Sequence, residues 1–230
     1  MAQLLFDRPQ LNNQIGTLRP LMTSGKLRHG AQRTTDNADA AFFKAWLRRP
    51  GQLGAVLPSS RGLATAVAAC IDVHTPGVVV ELGGGTGKVT EALLDAGVPV
   101  SSLIVVECEP ALCDVIAARL PDVRLLCADA RDLKPLLTEH GVTEPVKAVV
   151  SGLPLLCLTR EDCQRILSAA FDVMGEHGDF VQFTYGPASP VPREVCQRVG
   201  ISGRRARWIV SNLPPASVWH YRRAPAGRRR

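Results

Sequence analysis

A glycine-rich turn, set between an apolar β-branched run and a helical pattern, constrains the fold of this chain more than any other feature. The run begins at Val78 and leads through Glu81 into Gly83-Gly-Gly-Thr-Gly-Lys88. Glycines permit tight turning and close backbone approach to a ligand, and the helix that follows presents free backbone N–H groups. The turn therefore predicts a ligand-binding loop between the first core strand and a helix.

The spacing of the glycines separates the chemistries that use such loops. A dinucleotide site prefers G-x-G-x-x-G, but Lys88 occupies the position of the third glycine. A G-x-x-x-x-G-K-[ST] phosphate loop is also excluded, because Val89 follows Lys88. The glycines run G-x-G-x-G after Glu81, whose carboxylate would face a ligand ammonium group or its bound waters.

Predicted strands and helices alternate after this turn. Strands separated by helices build a parallel sheet from right-handed βαβ units. The last two strands are joined by a segment too short for a helical crossover, so they should pair antiparallel. The expected fold is α/β, a Rossmann-like sheet that is mostly parallel with an antiparallel final strand. The predicted strands are Val78–Leu82, Leu103–Glu107, Val123–Ala128, Val146–Ser151, Asp179–Thr184, Ala206–Asn212 and Ser217–Tyr221.

Polar side chains end the strands that follow the first. Glu107 closes the second strand, where an acid can take both ribose hydroxyls, and Asp129 closes the third, where a carboxylate can accept from an adenine amino group. Ser151 ends the fourth strand. Each acid alone is equally well explained as a cap for the next helix. Together they indicate a ligand at the carboxyl ends of the strands, as is usual in open α/β sheets.

These residues and the glycine turn resemble the class I methyltransferase pattern, over roughly residues 78–221. The resemblance implies S-adenosyl-L-methionine as the cofactor and a class I methyltransferase sheet with N-terminal helices. The cofactor-binding residues it implies are Glu81, Gly83, Gly85, Thr86, Gly87, Glu107, Asp129, Ala130 and Ser151.

The methyl acceptor is predicted from the segment after the fourth strand. Amino-methylating enzymes of nucleic acids usually carry Asn/Asp-Pro-Pro-aromatic there, to hold the amine and stack a flipped base. This chain has Ser151-Gly-Leu-Pro-Leu-Leu156 instead, which argues against methylation of an adenine base. The rest of the chain is nevertheless similar to the rRNA adenine dimethylase group.

Three segments resemble a different family, the bacterial phospholipid N-methyltransferases. They are Phe42–Pro50, Gly54–Arg61, and Ser151–Leu156 taken together with Gln182–Pro187. The resemblance implies methylation of phosphatidylethanolamine toward phosphatidylcholine, or of an ornithine lipid. An RNA (adenine-N6 type) or protein methyltransferase remains the alternative, and a non-catalytic binding protein that keeps the fold is a third.

The acceptor site is expected near the end of the fifth strand and the start of a helix before the glycine turn. Tyr185 is the predicted catalytic residue, since its ring can bind an amine by cation–π attraction or its hydroxyl can accept an amine hydrogen. Arg61 would hold a lipid phosphodiester, with Ser59 and Ser60 near the cofactor carboxylate. The alternatives are a rim tyrosine and ordinary helix caps. Methyl transfer needs proximity, orientation and partial desolvation rather than a general base.

A basic amphipathic helix is predicted to begin at Asp36 and end at Pro50. Its four apolar side chains, Leu47 among them, would enter the acyl boundary, and Lys44 with two arginines would meet lipid phosphates, although the same stripe could simply cover the sheet. Residues 1–35 are expected to be an irregular basic extension, 36–75 N-terminal helices over the active site, and 76–230 the methyltransferase domain. The membrane-contacting residues predicted here are Phe42, Phe43, Trp46, Arg48 and Arg49.

Charge is unevenly distributed along the chain. Residues 1–49 hold eight Lys/Arg against three Asp/Glu, residues 50–192 hold nine against seventeen, and residues 193–230 hold ten against one. Basic ends indicate an anionic partner, with a membrane surface favoured over nucleic acid, although they could merely keep the protein soluble. The chain has no C-x-x-C pair, and no metal site is predicted. It also lacks a signal-peptide pattern, so the expected location is cytoplasmic, at the inner face of the cell membrane.

Overall fold

The computed structural model describes residues 60–212 and 215–225. Seven strands form its sheet: β1 Val78–Leu82, β2 Leu103–Glu107, β3 Arg124–Cys127, β4 Val146–Ser151, β5 Asp179–Tyr185, β6 Ile201–Ile209 and β7 Ala216–Arg223. The helices are α1 Arg61–Ala68, α2 Lys88–Asp95, α3 Pro110–Arg119, α4 Leu133–Glu139, α5 Arg160–Met174 and α6 Arg193–Val199.

The strand order is β3-β2-β1-β4-β5-β7-β6. Strands β1 to β5 pair in parallel, whereas β7 is antiparallel to both β5 and β6. This confirms the expected mostly parallel α/β sheet with its antiparallel strand. Because β7 lies between β5 and β6 and is antiparallel to both, β6 runs parallel to β5. The C-terminal ends of β1 to β6 therefore share one side of the sheet, which we call the carboxyl edge.

Both faces of the sheet are covered, as parallel sheets require. On one face, α5 contributes Leu167 and Phe171 to a cluster with Phe180 of β5 and Tyr221 of β7. On the other, Leu63 of α1 joins a cluster that includes strand and α2 residues. Every residue of β1 and of β2 is buried. The buried apolar side chains of these central strands hold the sheet in place, and the polar side chains near their ends lie at the carboxyl edge.

Local sequence signals explain where several helices begin. The Ser60 hydroxyl accepts from the Leu63 backbone N–H at 3.1 Å and caps α1. The Thr159 hydroxyl accepts from the Asp162 N–H at 3.1 Å and caps α5. Gly87 precedes α2 with a left-handed backbone, φ 79°.

The structure corrects the predicted bounds of β6, residues 206–212. The strand begins at Ile201, directly after Gly200 ends α6 in the left-handed conformation with φ 73°. Most of its side chains are exposed because β6 is an outer strand, so it lacks the continuous apolar run by which the buried strands were recognised.

Several predictions lie outside the described residues. They are the basic extension 1–35, the amphipathic helix with Phe42, Phe43, Trp46, Arg48 and Arg49, and Ser59 of the acceptor site. Within the described ranges, none of the helices combines the length and apolar character needed to span a bilayer.

Candidate cofactor and acceptor site

The glycine turn after β1 is closed on one side and open on the other. Gly83, Gly85 and Gly87 have φ values of 73°, 57° and 79°, a region that favours glycine. A Cβ atom on Gly83 would meet the Leu153 side chain at 2.8 Å, and one on Gly84 would meet Val105 at 2.5 Å. A Cβ on Gly85 would meet no described atom within 4 Å. Gly85 therefore offers backbone that a ligand can approach closely.

Glu107 joins the end of β2 to this turn. One carboxylate oxygen, Oε2, accepts from the Gly85 N–H at 2.9 Å, and the other accepts from Cys108 and Glu109 at 2.9 and 3.0 Å. The residue is only 6% exposed. Each carboxylate oxygen can accept more than one hydrogen bond, so Glu107 can hold the loop and still receive ligand hydroxyls. The helix-cap and ligand interpretations of Glu107 are thus compatible.

Arg119 of α3 fixes the far side of the turn, and sequence reasoning missed it. Its guanidinium donates to the Thr86 carbonyl oxygen and, through Nη2, to Glu91 Oε1 at 2.6 Å. The side chain thereby connects the turn to α2. Thr86 itself is buried. The contacts span about thirty residues of sequence, so no local pattern could have revealed them.

Glu81 lies deeper than the sequence suggested. It is 1% exposed, and its Oε2 accepts from the Thr90 hydroxyl of α2 at 2.7 Å. Burial raises the pKa of Glu81 to about 8; Glu107 acts in the same direction, and the Thr90 hydrogen bond opposes both. A ligand ammonium group nearby would favour the ionised carboxylate.

Of the two residues expected to contact adenine, Asp129 is held in an ion pair and Ala130 is buried. Asp129 pairs with Arg131, whose Nη1 also reaches Asp162 Oδ1 at 2.9 Å. The hydrogen bond from Arg131 lowers the pKa of Asp129, although partial burial opposes it. Ala130 is buried beside it. An adenine amino group would therefore share the Asp129 carboxylate with Arg131.

Ser151 turns inward at the end of β4. It is fully buried, and its hydroxyl accepts from the Leu153 N–H at 3.3 Å. Gln182 of β5 holds the same loop, since its amide Nε2 donates to the carbonyl oxygens of Leu153 and Phe183 at 2.9 and 2.7 Å. A Cβ on Gly152 would lie 2.8 Å from the Gly83 carbonyl oxygen. The loop after β4 thus packs directly on the glycine turn.

Tyr185 ends β5 at the carboxyl edge, on the sheet face that α1 and α2 cover. Its ring meets Phe183 edge-on, with centroids 6.4 Å apart. Burial raises the pKa of the Tyr185 phenol well above its ordinary value, so the hydroxyl stays protonated at neutral pH.

The start of α1 points toward the same edge. Lys147, at the beginning of β4, donates to the backbone oxygens of Asp72 and Thr75 at 2.9 and 2.6 Å and fixes the chain after α1 at the opposite edge. The Ser60 hydroxyl is engaged in its cap, and Arg61 is exposed. Of Ser60 and Arg61, Arg61 is therefore the better placed to meet a ligand anion.

Comparisons with known proteins agree with this geometry. Residues 79–178 match the family model of a methyltransferase domain. The chain is an S-adenosylmethionine-dependent methyltransferase. Its fold is shared with the glycopeptide N-methyltransferase MtfA, solved with S-adenosyl-L-homocysteine (14% identity, TM-score 0.55, 74% of this chain and 89% of that one). A TehB-like S-adenosylmethionine-dependent methyltransferase from Corynebacterium glutamicum is also similar (16%, TM-score 0.52, 82% and 99%).

A curated protein gives a narrower comparison. An ornithine lipid N-methyltransferase from Singulisphaera acidiphila is 29% identical over 149 residues, which are 64% of this methyltransferase and 77% of that protein. The similarity to rRNA adenine dimethylases inferred from the sequence gains no support from these matches. In the described part of the chain, His, Cys, Asp and Glu side chains form no group of three able to hold a metal ion.

The structure fits the cofactor at two points. The Gly85 backbone faces space that a side chain there would fill, and Glu107 sits beside it with acceptor capacity to spare. The methyltransferase would hold the nucleoside of S-adenosylmethionine with Glu107 and Asp129, and its amino acid portion near Glu81 and the glycine turn.

We expect the affinity of this methyltransferase for S-adenosylhomocysteine to rise with pH until about pH 8, the pKa of buried Glu81. Below that value the carboxyl must lose its proton before it can pair with an ammonium group, so binding releases a proton. Calorimetry in buffers of different ionisation enthalpy counts that proton directly. Glu81→Gln should bind more weakly and without pH dependence over this range. Identical proton release in both proteins would contradict the assignment.

Proposed function

We propose that this methyltransferase transfers methyl groups to the amino headgroup of a membrane lipid, an ornithine lipid or phosphatidylethanolamine on the way to phosphatidylcholine. The observation that carries the proposal is the 29% identity to an ornithine lipid N-methyltransferase over 149 residues. The protein would act at the inner face of the cell membrane, attached peripherally through an anionic lipid surface.

The loop after β4 supports a lipid amine over a nucleic acid base. A flipped base is usually stacked by an aromatic side chain, which Ser151-Gly-Leu-Pro-Leu-Leu156 does not supply. Leu156 is instead an apolar side chain with 57% exposure. An aliphatic amine needs no stacking partner, and an apolar loop suits the glycerol or acyl part of a lipid.

Each site residue would have a separate task. Bound S-adenosylmethionine supplies an electrophilic methyl group. Tyr185 would orient the amine through its hydroxyl oxygen and stabilise the growing positive charge through its ring. Because the phenol stays protonated, it acts by orientation and not as a base. Partial burial of the site favours the neutral, nucleophilic form of the amine.

Arg61 would bind the anionic part of the headgroup. It is exposed at the start of α1, on the side of the carboxyl edge. Its guanidinium matches the phosphodiester of phosphatidylethanolamine and the carboxylate of an ornithine headgroup alike. Ser60 would assist from the α1 cap, and Ser59 is proposed beside it.

Tyr185→Phe is expected to lower kcat about tenfold, and Tyr185→Ala about a hundredfold, with cofactor affinity unchanged within about twofold. The first variant removes the hydroxyl and the second also removes the ring. Tyr221→Phe is the matched control, because that hydroxyl bonds Ser189 at 2.9 Å on the opposite sheet face. Equal losses in Tyr185→Phe and Tyr221→Phe would indicate a structural role only.

The lipid assignment is tested with purified protein and detergent-dispersed acceptors. Ornithine lipid and phosphatidylethanolamine are incubated with S-adenosylmethionine, and mass spectrometry counts the added methyl groups. We expect methylation of at least one of them and none of its N-acetylated counterpart, whose nitrogen is not nucleophilic. Failure to methylate either lipid, in a preparation that binds the cofactor, would overturn the proposal.

A further inference from the structure

The C-terminal half of β6 exposes an unusual mixture of cationic and apolar side chains. Three exposed residues of this outer strand, Arg205, Arg207 and Trp208, and exposed Val210 just beyond its end form a surface that we call the β6 rim. Trp208 is 41% exposed and Val210 is 67% exposed. The guanidinium carbon of Arg205 lies 5.7 Å from the centre of the Trp208 ring, so the cation and the aromatic share one surface.

The β6 rim begins level with Gln182 of β5, where Arg205 lies, and extends to the carboxyl edge, where the proposed acceptor site opens. Strand β6 runs parallel to β5, so its last residues and Tyr185 are at the same side of the sheet. Leu156, the exposed residue after β4, is also at this edge. Of the four large hydrophobic residues that the described ranges expose, three are here and Val100, before β2, is at the opposite edge.

Protection of the sheet edge explains only part of this surface. Arginines on an outer strand discourage pairing with another chain. An exposed tryptophan and valine beside them have the opposite effect, because apolar surface promotes association. A surface that needs both types of side chain is an interface between an apolar phase and anionic groups.

Charge favours an anionic partner. Residues 195–230 contain nine arginines and not one Asp or Glu. No acidic residue of this segment therefore neutralises the β6 rim from its own strand or from β7.

We propose that the β6 rim docks on an anionic phospholipid bilayer, with Trp208 and Val210 in the interfacial layer and Arg205 and Arg207 on lipid phosphates. The biological purpose of this contact rests on the proposed lipid substrate, because docking would turn the carboxyl edge toward the headgroups. The contact itself is a binding property that can be measured without catalysis.

Flotation of the full-length protein with phosphatidylcholine vesicles, with and without phosphatidylglycerol, tests the surface. The variant R205Q/R207Q should bind the anionic vesicles roughly 25-fold more weakly, since each arginine near such a surface contributes about fivefold. The control R124Q/R198Q removes the same charge from exposed side chains near the opposite edge and should bind like wild type. Equal weakening by both pairs would show a general charge effect and overturn the docking site.

Trp208→Ser and Val100→Ser test the apolar part, since the two side chains are 41% and 40% exposed. Only Trp208→Ser should lose vesicle binding. In addition, brominated lipids should quench wild-type fluorescence more strongly than that of Trp208→Phe. Equal quenching would place Trp208 away from the bilayer and overturn the proposal, as would RNA binding lost in R205Q/R207Q with vesicle binding intact.

Two assays separate this proposal from the proposed function. If both hold, R205Q/R207Q loses methylation of vesicle lipid and keeps methylation of detergent-dispersed lipid. If the wild-type protein binds vesicles through the β6 rim but methylates no lipid, the proposed function is wrong and the docking surface is supported. Methylation of dispersed lipid with vesicle binding unaffected by the rim variants would do the reverse.

Discussion

Glu107→Ala is expected to weaken cofactor binding at least a hundredfold and to lower the free energy of unfolding by about 3 kcal/mol. The substitution leaves the N–H groups of Gly85, Cys108 and Glu109 without their carboxylate acceptor. Hydrogen bonds to a charged group each contribute roughly 1.5–3 kcal/mol, and their effects are not additive when they share one side chain. Calorimetry with S-adenosylhomocysteine and denaturant unfolding measure the two effects.

The neighbouring Glu109→Ala provides the control. This substitution removes a carboxylate from the segment just after β2. Gly85 is held by the carboxylate of Glu107 and not by that of Glu109. We expect cofactor affinity within about threefold of wild type and a stability change below about 1 kcal/mol. If Glu107→Ala bound the cofactor as well as Glu109→Ala does, the loop after β1 would not be the cofactor site.

Gly85→Val should abolish measurable cofactor binding while leaving the protein folded. Valine at this position would fill the space beside the turn and would adopt a left-handed conformation, φ 57°, that costs a non-glycine residue about 1–2 kcal/mol. The cost in stability is small beside the loss of binding, because the side chain occupies the volume proposed for the ligand. Calorimetry and a thermal unfolding curve on the same sample separate the two.

Gly97→Val reproduces the strain at a distance from the site. Gly97 follows α2 with φ 99°, and its Cβ would also meet no described atom within 4 Å. It should lose a similar amount of stability and keep full cofactor affinity. A Gly85→Val protein that binds normally would mean that the open side of the turn faces something other than the ligand.

The central strands were predictable because burial on both faces makes them continuous apolar runs. Strands β1, β2 and β4 begin and end at the predicted residues. Strand β6 was misplaced because its exposed outer position removes that signal, and five of its residues precede the predicted start. A continuous apolar run therefore predicts a buried strand but does not detect β6, the strand that carries the proposed membrane contact.

Candidate site residues at strand ends were predictable for a similar reason. Glu107 and Ser151 each close a run of apolar residues, so their place at the carboxyl edge followed from topology. Their partners did not follow, since Arg119 reaches Thr86 and Gln182 reaches Leu153 across the tertiary structure. Nor could the sequence show that Glu81 would be buried against Thr90, because that contact depends on how α2 packs on the sheet.

Transfer of a labelled methyl group tests the central claim most directly. The purified methyltransferase is given labelled S-adenosylmethionine together with total lipid, total RNA and total protein from a bacterium that makes ornithine lipids and phosphatidylethanolamine. The account predicts label in the amino lipids, at a rate that Tyr185→Ala reduces about a hundredfold. Label in RNA or protein with none in lipid would contradict it.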